Sequence, residues 1–339
     1  MNIAAASRIR AVHPLRAVEG GRVTISGEGF LRDDGLPDVR FGSVQARIAC
    51  ASPHSVTAIV PGGLDGAHTP IRLESAPGET AYVEIGAPIA TGLHQVDNPV
   101  FDPDGNLYVT FSGTRGQQAP VAIYLVRPDG TRAPFVTDLP NPTSMTFGPD
   151  GQLYVSSRFD GSVHRVHRDG TVTTYATDLG VACGIAFGPD GKLYIGDRSG
   201  SILTLNDTRV TQFAEIPPSV AAFHLAFGPD GGLYVSAPTL SSRDVVYRVS
   251  PSGEVAVFAE GFGRPQGLAF DADGSLYVID AIAGDSALFL IRPGRPSEKE
   301  RVLSGGALIG VAFDAAGALV VASSDTVYRF AAPGTLPVA

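Results

Sequence analysis

Gly184-Ile-Ala-Phe-Gly-Pro-Asp-Gly-Lys-Leu-Tyr-Ile195 is the stretch that decides the fold. An Asp-Gly pair between two apolar runs predicts a hairpin, because Gly takes the positive-φ position and Asp bonds its own backbone. Phe187 before the turn and Leu193-Tyr194-Ile195 after it alternate between faces, as half-buried strands do. The same frame occupies residues 98–109, 144–155, 224–235, 267–278 and 310–321, which makes six copies. In most copies a second hairpin follows, with strands such as Ile123–Arg127, Val163–His167, Val246–Val249 and Val327–Phe330. A fourth strand comes next, at 133–139, 173–179, 211–216 and 256–261. Four antiparallel strands recurring every forty residues or so are the unit of a propeller blade.

The two ends of the array predict that it closes into a ring. The sixth copy runs out after its third strand, near Phe330. The missing strand stands ahead of the first copy, where Ala87–Leu93 has the pattern of Ala133–Leu139. Residues 87–339 therefore read as a six-bladed β-propeller closed by its own N-terminal strand, which leaves no exposed sheet edge. Residues 1–86 do not share the repeat. Strand-like runs at 22–25, 39–41, 46–49, 55–60, 71–73 and 82–85, parted by Gly, Pro and Asp, predict a small immunoglobulin-like β-sandwich. The fold class is all-β, and 41 Gly with 26 Pro supply the many turns it needs. No Pro- or Ser-rich linker lies near Gly86, so the two domains are expected to be closely coupled.

Composition narrows the function. A formal net charge of −9 argues against a nucleic-acid surface, which needs a basic field. No apolar run approaches a membrane span. The start, Met1-Asn-Ile-Ala-Ala-Ala, lacks a basic region followed by an apolar core, so a cytoplasmic location is expected. Cys50 and Cys183 stand one in each domain and read as small apolar residues rather than as a disulfide or a metal cluster. The Asp-Gly turns share one rim of the propeller and look structural. The opposite rim gathers the variable loops, including 111–118, 237–244 and 280–285, and is the expected place for a site.

On that rim, the residue four before each turn-proximal Phe is expected to face the tunnel mouth. It is Asp97, Thr143, Cys183, Phe223, Gln266 or Ile309 in turn around the ring. Arg158 and Arg198 share one offset after the second strands of adjacent blades. Two guanidiniums there could hold a carboxylate or phosphate, or Arg198 could pair with Asp197 or Asp160. His224 reads either as a base or metal ligand or as a hydrogen-bonded histidine at a blade start. Asp97 carries the one carboxylate among the blade lead-ins.

The N-terminal stretch resembles the IPT/TIG family of immunoglobulin-like domains through Gly20–Phe30, Val39–Gly42, Ala58–Pro61 and Gly66. The remainder resembles the SMP-30/gluconolactonase-like and NHL-repeat six-bladed propellers, through the Phe-Gly-Pro-Asp-Gly-x-Leu-Tyr-Val frame and the permuted closure. That resemblance implies a metal-dependent lactonase, with a divalent cation at the tunnel mouth on a Glu, an Asn and an Asp. Asp97-Asn98-Pro99 maps onto the family's Glu-Gly-Pro, so the resemblance makes Asp97 a metal ligand. Cys183-Gly184 and Gln266-Gly267 stand nearest to its Asn-Gly, and no blade offers its Asp-Gly. The metal triad is thus not intact, and the catalytic residues are not named by any motif.

The first expectation is therefore a binding protein whose small-molecule or partner site is lined by Asp97, Arg158, Cys183, Arg198, His224 and Gln266. A lactonase- or esterase-type hydrolase using a divalent cation is the alternative, and a protein-interaction scaffold is the third.

Overall fold

The computed structural model describes residues 7–31, 35–206, 209–221 and 223–331, and every regular element among them is a strand. The repeat frame folds as its turn chemistry dictates. Phe187 pairs with Leu193, and the turn between them is closed by the Gly191 N–H donating to the Gly188 carbonyl at 3.0 Å. Gly191 sits at φ +76°, a conformation only Gly adopts without strain. Each copy builds a four-stranded antiparallel sheet, and six such blades follow one another from Ala87 to Arg329. Ala87–Ala90 pairs with Val327–Arg329, Pro88 lying opposite Tyr328, so the ring closes by the borrowed strand.

Adjacent blades are joined by a repeated aromatic contact. The Tyr of each frame meets the Phe of the next blade edge-on, as in Tyr154 with Phe187 and Tyr194 with Phe227, at 4.9 and 5.0 Å between centroids. In blades one to four the Tyr hydroxyl then donates to a turn carboxylate of its own blade, as Tyr154 does to Asp150 at 3.0 Å and Tyr194 to Asp190 at 3.2 Å. Burial, with the neighbouring carboxylate, pushes both phenols up to about 12. In blades two to four the Asp of Asp-Gly thus holds the turn and the seam at once. Blade six has Val320 in place of the Tyr, and its seam with blade one is an aliphatic cluster of Val320, Ala322, Leu107 and Val109.

The N-terminal domain is a sandwich. One sheet orders Arg8–His13, Arg22–Glu28, Ser55–Ile59 and Arg47–Ser52. The other orders Arg16–Ala17, Ala81–Ile85, Ala67–Leu73, Val39–Phe41 and Val44–Gln45. Val23, Ile25, Phe41, Val56, Ile71 and Val83 fill the space between them.

The second sheet does not end at the domain. Arg16–Ala17 runs parallel both to Ala81–Ile85 and to Lys299–Ser304, the outer strand of blade five, so one nine-stranded sheet spans both domains. Arg16 Nε donates to the buried Glu84 carboxylate at 2.7 Å, and Val18 inserts among Ile279, Leu288, Leu303 and Phe330. Gly21 permits this approach, since a Cβ there would lie 2.5 Å from the Ser304 carbonyl oxygen.

Candidate functional site

The first strands of all six blades pack each against the next in a closed ring around the propeller axis, and one residue opens the frame in each blade. These residues are Asn98, Ser144, Gly184, His224, Gly267 and Gly310. The glycines make room for the larger two. A Cβ on Gly267 would lie 2.2 Å from Asn98 Oδ1, and one on Gly184 would lie 2.4 Å from the Phe223 carbonyl oxygen. Asn98 fills its space with two cross-blade bonds. Its amide donates to the Leu268 carbonyl at 2.9 Å, and its Oδ1 accepts from the Val311 N–H at 2.9 Å.

His224, with no exposed surface, crosses from blade four to blade one. Its Nδ1 meets Asp97 Oδ1 at 2.5 Å, and its Nε2 meets Gln266 Oε1 at 3.0 Å. Asp97 Oδ1 also accepts from the Asn98 N–H at 2.7 Å. Burial lowers the imidazole's proton affinity, but the Asp97 charge and the bonds to Asp97 and Gln266 outweigh it. The net shift is upward. Asp97, His224 and Gln266 therefore plug the tunnel. Asp97 lines the channel beneath, on the side of the Phe tier, and Gln266 lines a cavity above.

That upper cavity has a volume of about 1080 Å³. Its polar lining includes Arg158, Arg198, Arg264 and Gln266, and its apolar lining includes Val96, Val220, Ile282, Leu308 and Ile309. Among the described residues no Asp or Glu lines it. Arg158 gives one bond to the Gly113 carbonyl at 3.2 Å, while its buried Nε has no partner. Arg198 gives one to the Val220 carbonyl at 2.9 Å. Neither they nor Arg264 form an ion pair among the described residues. Burial lowers the proton affinity of Arg158, and the nearby positive charges of Arg198 and Arg115 act in the same direction. Cys183 also lines the cavity, with its thiol pushed up to about 11 by burial.

Of the six residues expected to share one pocket, Arg158, Cys183, Arg198 and Gln266 line the cavity. Asp97 and His224 stand behind Gln266 rather than in the lining. The expectation that every blade aims the same position at the mouth is corrected. Cys183, Gln266 and Ile309 do face it, and their strands carry a register shift there, between Ala182 and Ile185, Pro265 and Leu268, and Leu308 and Gly310. Such bulges re-aim side chains. Blade four pairs without one, and Phe223 turns into the core. Blade two carries the same shift, between Pro142 and Met145, but its Thr143 is kept from the cavity lining by bonds to the Asn141 carbonyl and the Arg158 N–H. Arg198 pairs with neither Asp197 nor Asp160. Asp197 accepts from the Val181 N–H, and Asp280 from the Gly263 and Arg264 N–H groups, so both brace the loops leading into the first strands. Arg264 was missed because nothing in the repeat marks it; the one available signal is its place two residues before Gln266.

Residues 159–337, just over half of the chain, match the family described as the SMP-30/Gluconolactonase/LRE-like region. The chain belongs to the SMP-30/Gluconolactonase/LRE-like family. Residues 7–81 match the IPT/TIG domain. No curated protein matches the sequence. Among solved structures, a putative gluconolactonase is 18% identical with a TM-score of 0.59, over 72% of this chain and 90% of its own. An auxiliary nutrient binding protein from Bacteroides thetaiotaomicron is 14% identical with a TM-score of 0.56, over 96% and 97%. A catalytically inactive histidine-to-alanine variant of virginiamycin B lyase from Staphylococcus aureus, with quinupristin, is 15% identical with a TM-score of 0.54, over 97% and 96%. At such identities the likeness is one of fold.

The divalent cation implied by the resemblance does not fit the donors at this family member's tunnel. Asp97 Oδ1 is committed to His224 and Asn98, and the Asn98 carboxamide is committed at both ends. Among the described residues no three His, Cys, Asp or Glu side chains converge. The cavity above presents three guanidiniums, which repel a cation.

Proposed function

We propose that this family member is a ligand-binding propeller that holds a small organic anion in its upper cavity. The observation that carries this reading is the set of Arg158, Arg198 and Arg264 around one cavity that, among the described residues, no carboxylate lines. Desolvating a guanidinium without an acceptor is costly, and Arg158 leaves a buried Nε–H unmet. A carboxylate or phosphate would supply the acceptors through charge-assisted hydrogen bonds, which are short and directional. Gln266 is held at its rear by His224 and offers its remaining amide atom to the ligand.

Two facts favour binding over turnover. The Cys183 thiol, pushed up to about 11, is no nucleophile near neutrality, and both ring nitrogens of His224 are already engaged. The solved auxiliary nutrient binding protein, alike in fold along nearly its whole length, is compatible with a binding role.

Thermal unfolding in the presence of a panel of carboxylates and phosphate monoesters tests the reading. A ligand at a hundred times its Kd should stabilise the protein by about 2.7 kcal/mol. Arg158→Ala with Arg198→Ala should weaken binding by a factor of about 10 to 100 for each charged hydrogen bond lost. A panel that shifts the double variant as much as the native protein would defeat the proposal.

A further inference from the structure

We infer that the anion held in this cavity carries an apolar tail, which leaves the guanidiniums and runs out over the rim formed by Val220, Leu240 and Ile282. The inference rests on the anion-binding reading above and adds the chemical class of the ligand. Its first support is size. A volume of about 1080 Å³ lies at the upper end of the range for small-molecule sites, far more than a bare carboxylate or phosphate fills. Much of the lining is aliphatic, with Leu308 buried, Val96 and Ile309 half-buried, and Val220 and Ile282 exposed at its edge.

The second support is independent of the arginines. Seven large apolar side chains are exposed among the described residues of the propeller, and four of them stand on the loops of this rim. They are Phe159, beside Arg158, at 48% exposure, Val220 at 40%, Ile282 at 44% and Leu240 at 92%. The other three, Val210, Val255 and Val257, lie on outer strands.

The exposure of Leu240 is built in. Its loop is pinned at the base by the buried Asp244, which accepts from the Thr239 N–H at 3.0 Å and the Thr239 hydroxyl at 2.6 Å. The same loop is tied to the cavity wall by the Val220 N–H, which donates to the Pro238 carbonyl at 2.9 Å. Ile282 lies over Gly263, where a Cβ would approach its Cδ1 to 2.8 Å. Apolar side chains fixed outward around a cationic cavity match an amphipathic acid, its head inside and its tail along the rim.

Calorimetric titration of the full chain with butanoate, hexanoate, octanoate and decanoate tests this, with octanamide as the uncharged control. Affinity should rise with each added methylene, approaching about fourfold where the methylene is fully buried. Leu240→Ser and Ile282→Ser should reduce octanoate affinity severalfold more than butanoate affinity. Leu240 is exposed, so its variant should fold normally. Equal affinity for all four acids, or a chain-length dependence untouched by both substitutions, would overturn the apolar tail while leaving the anion site standing. Failure of every acid to bind, or equal binding of octanamide and octanoate, would overturn the anion site and the tail with it.

Discussion

The two ends of the propeller axis are built on opposite principles. At the lower end the blades repeat one plan: a Phe facing the channel in all six, and in blades two to four an Asp-Gly turn whose carboxylate takes the hydroxyl of the frame Tyr. At the upper end the blades contribute different sets of residues. Blade two contributes Arg158, blade three Cys183 and Arg198, blade five Arg264 and Gln266, and blade six Leu308 and Ile309. The lower end pairs turn carboxylates with Tyr hydroxyls and stabilises the ring. The upper end leaves guanidiniums unmatched, which serves a ligand rather than stability. A repeat protein can thus keep its energy in the uniform positions and vary the rest.

Substitutions at each end test this contrast, and the largest effect belongs below. Tyr194→Ala removes the contact with Phe227 and opens a cavity at the seam of blades three and four. Denaturant unfolding should show a loss of about 3–5 kcal/mol. Tyr194→Phe keeps the ring contact and should cost only about 1 kcal/mol, the worth of its bond to Asp190.

The plug between the two ends should show an intermediate effect that depends on pH. His224 binds its proton more tightly folded than unfolded, where its value is about 6.5. Its contribution is therefore fully present below that value and is lost as pH rises through the higher folded one. The stability gap between the native protein and His224→Gln should be widest in mild acid and should narrow toward alkaline pH in a series of thermal melts. A gap that widened with pH would show that the imidazole is buried neutral.

The smallest effect on stability should come from the upper end. Arg158→Ala removes a partly desolvated charge held by a single carbonyl, so the melting midpoint should stay level or rise. A loss of several kcal/mol would mean that the upper end is as structural as the lower.

Much of this was readable without coordinates. The Asp-Gly turns, the four-strand rhythm and the displaced strand at Ala87 are local patterns, and local patterns set strands and turns. The pairing of Ala87–Ala90 with Val327–Arg329 follows from counting strands in the last copy. The site was only partly legible. Arg158 and Arg198 could be placed because they share an offset after equivalent strands. Asp97 and Gln266 could be placed on the lead-ins but not on opposite sides of a plug. Which lead-in residue reaches the cavity depends on how each first strand pairs and packs within the ring, and no residue pattern marks it.

The sequence by itself determined the all-β class, the six repeats, the way the ring closes and the sandwich ahead of it, since each rests on periodicity and turn residues along a short stretch of chain. Only the tertiary structure decided that His224 reaches Asp97 across the axis, that Arg264 joins Arg158 and Arg198, and that Arg16–Ala17 extends blade five into the sandwich. Those contacts join residues far apart in the chain, and they depend on the angle between blades and the bulges within them, quantities set by the packing of the whole ring.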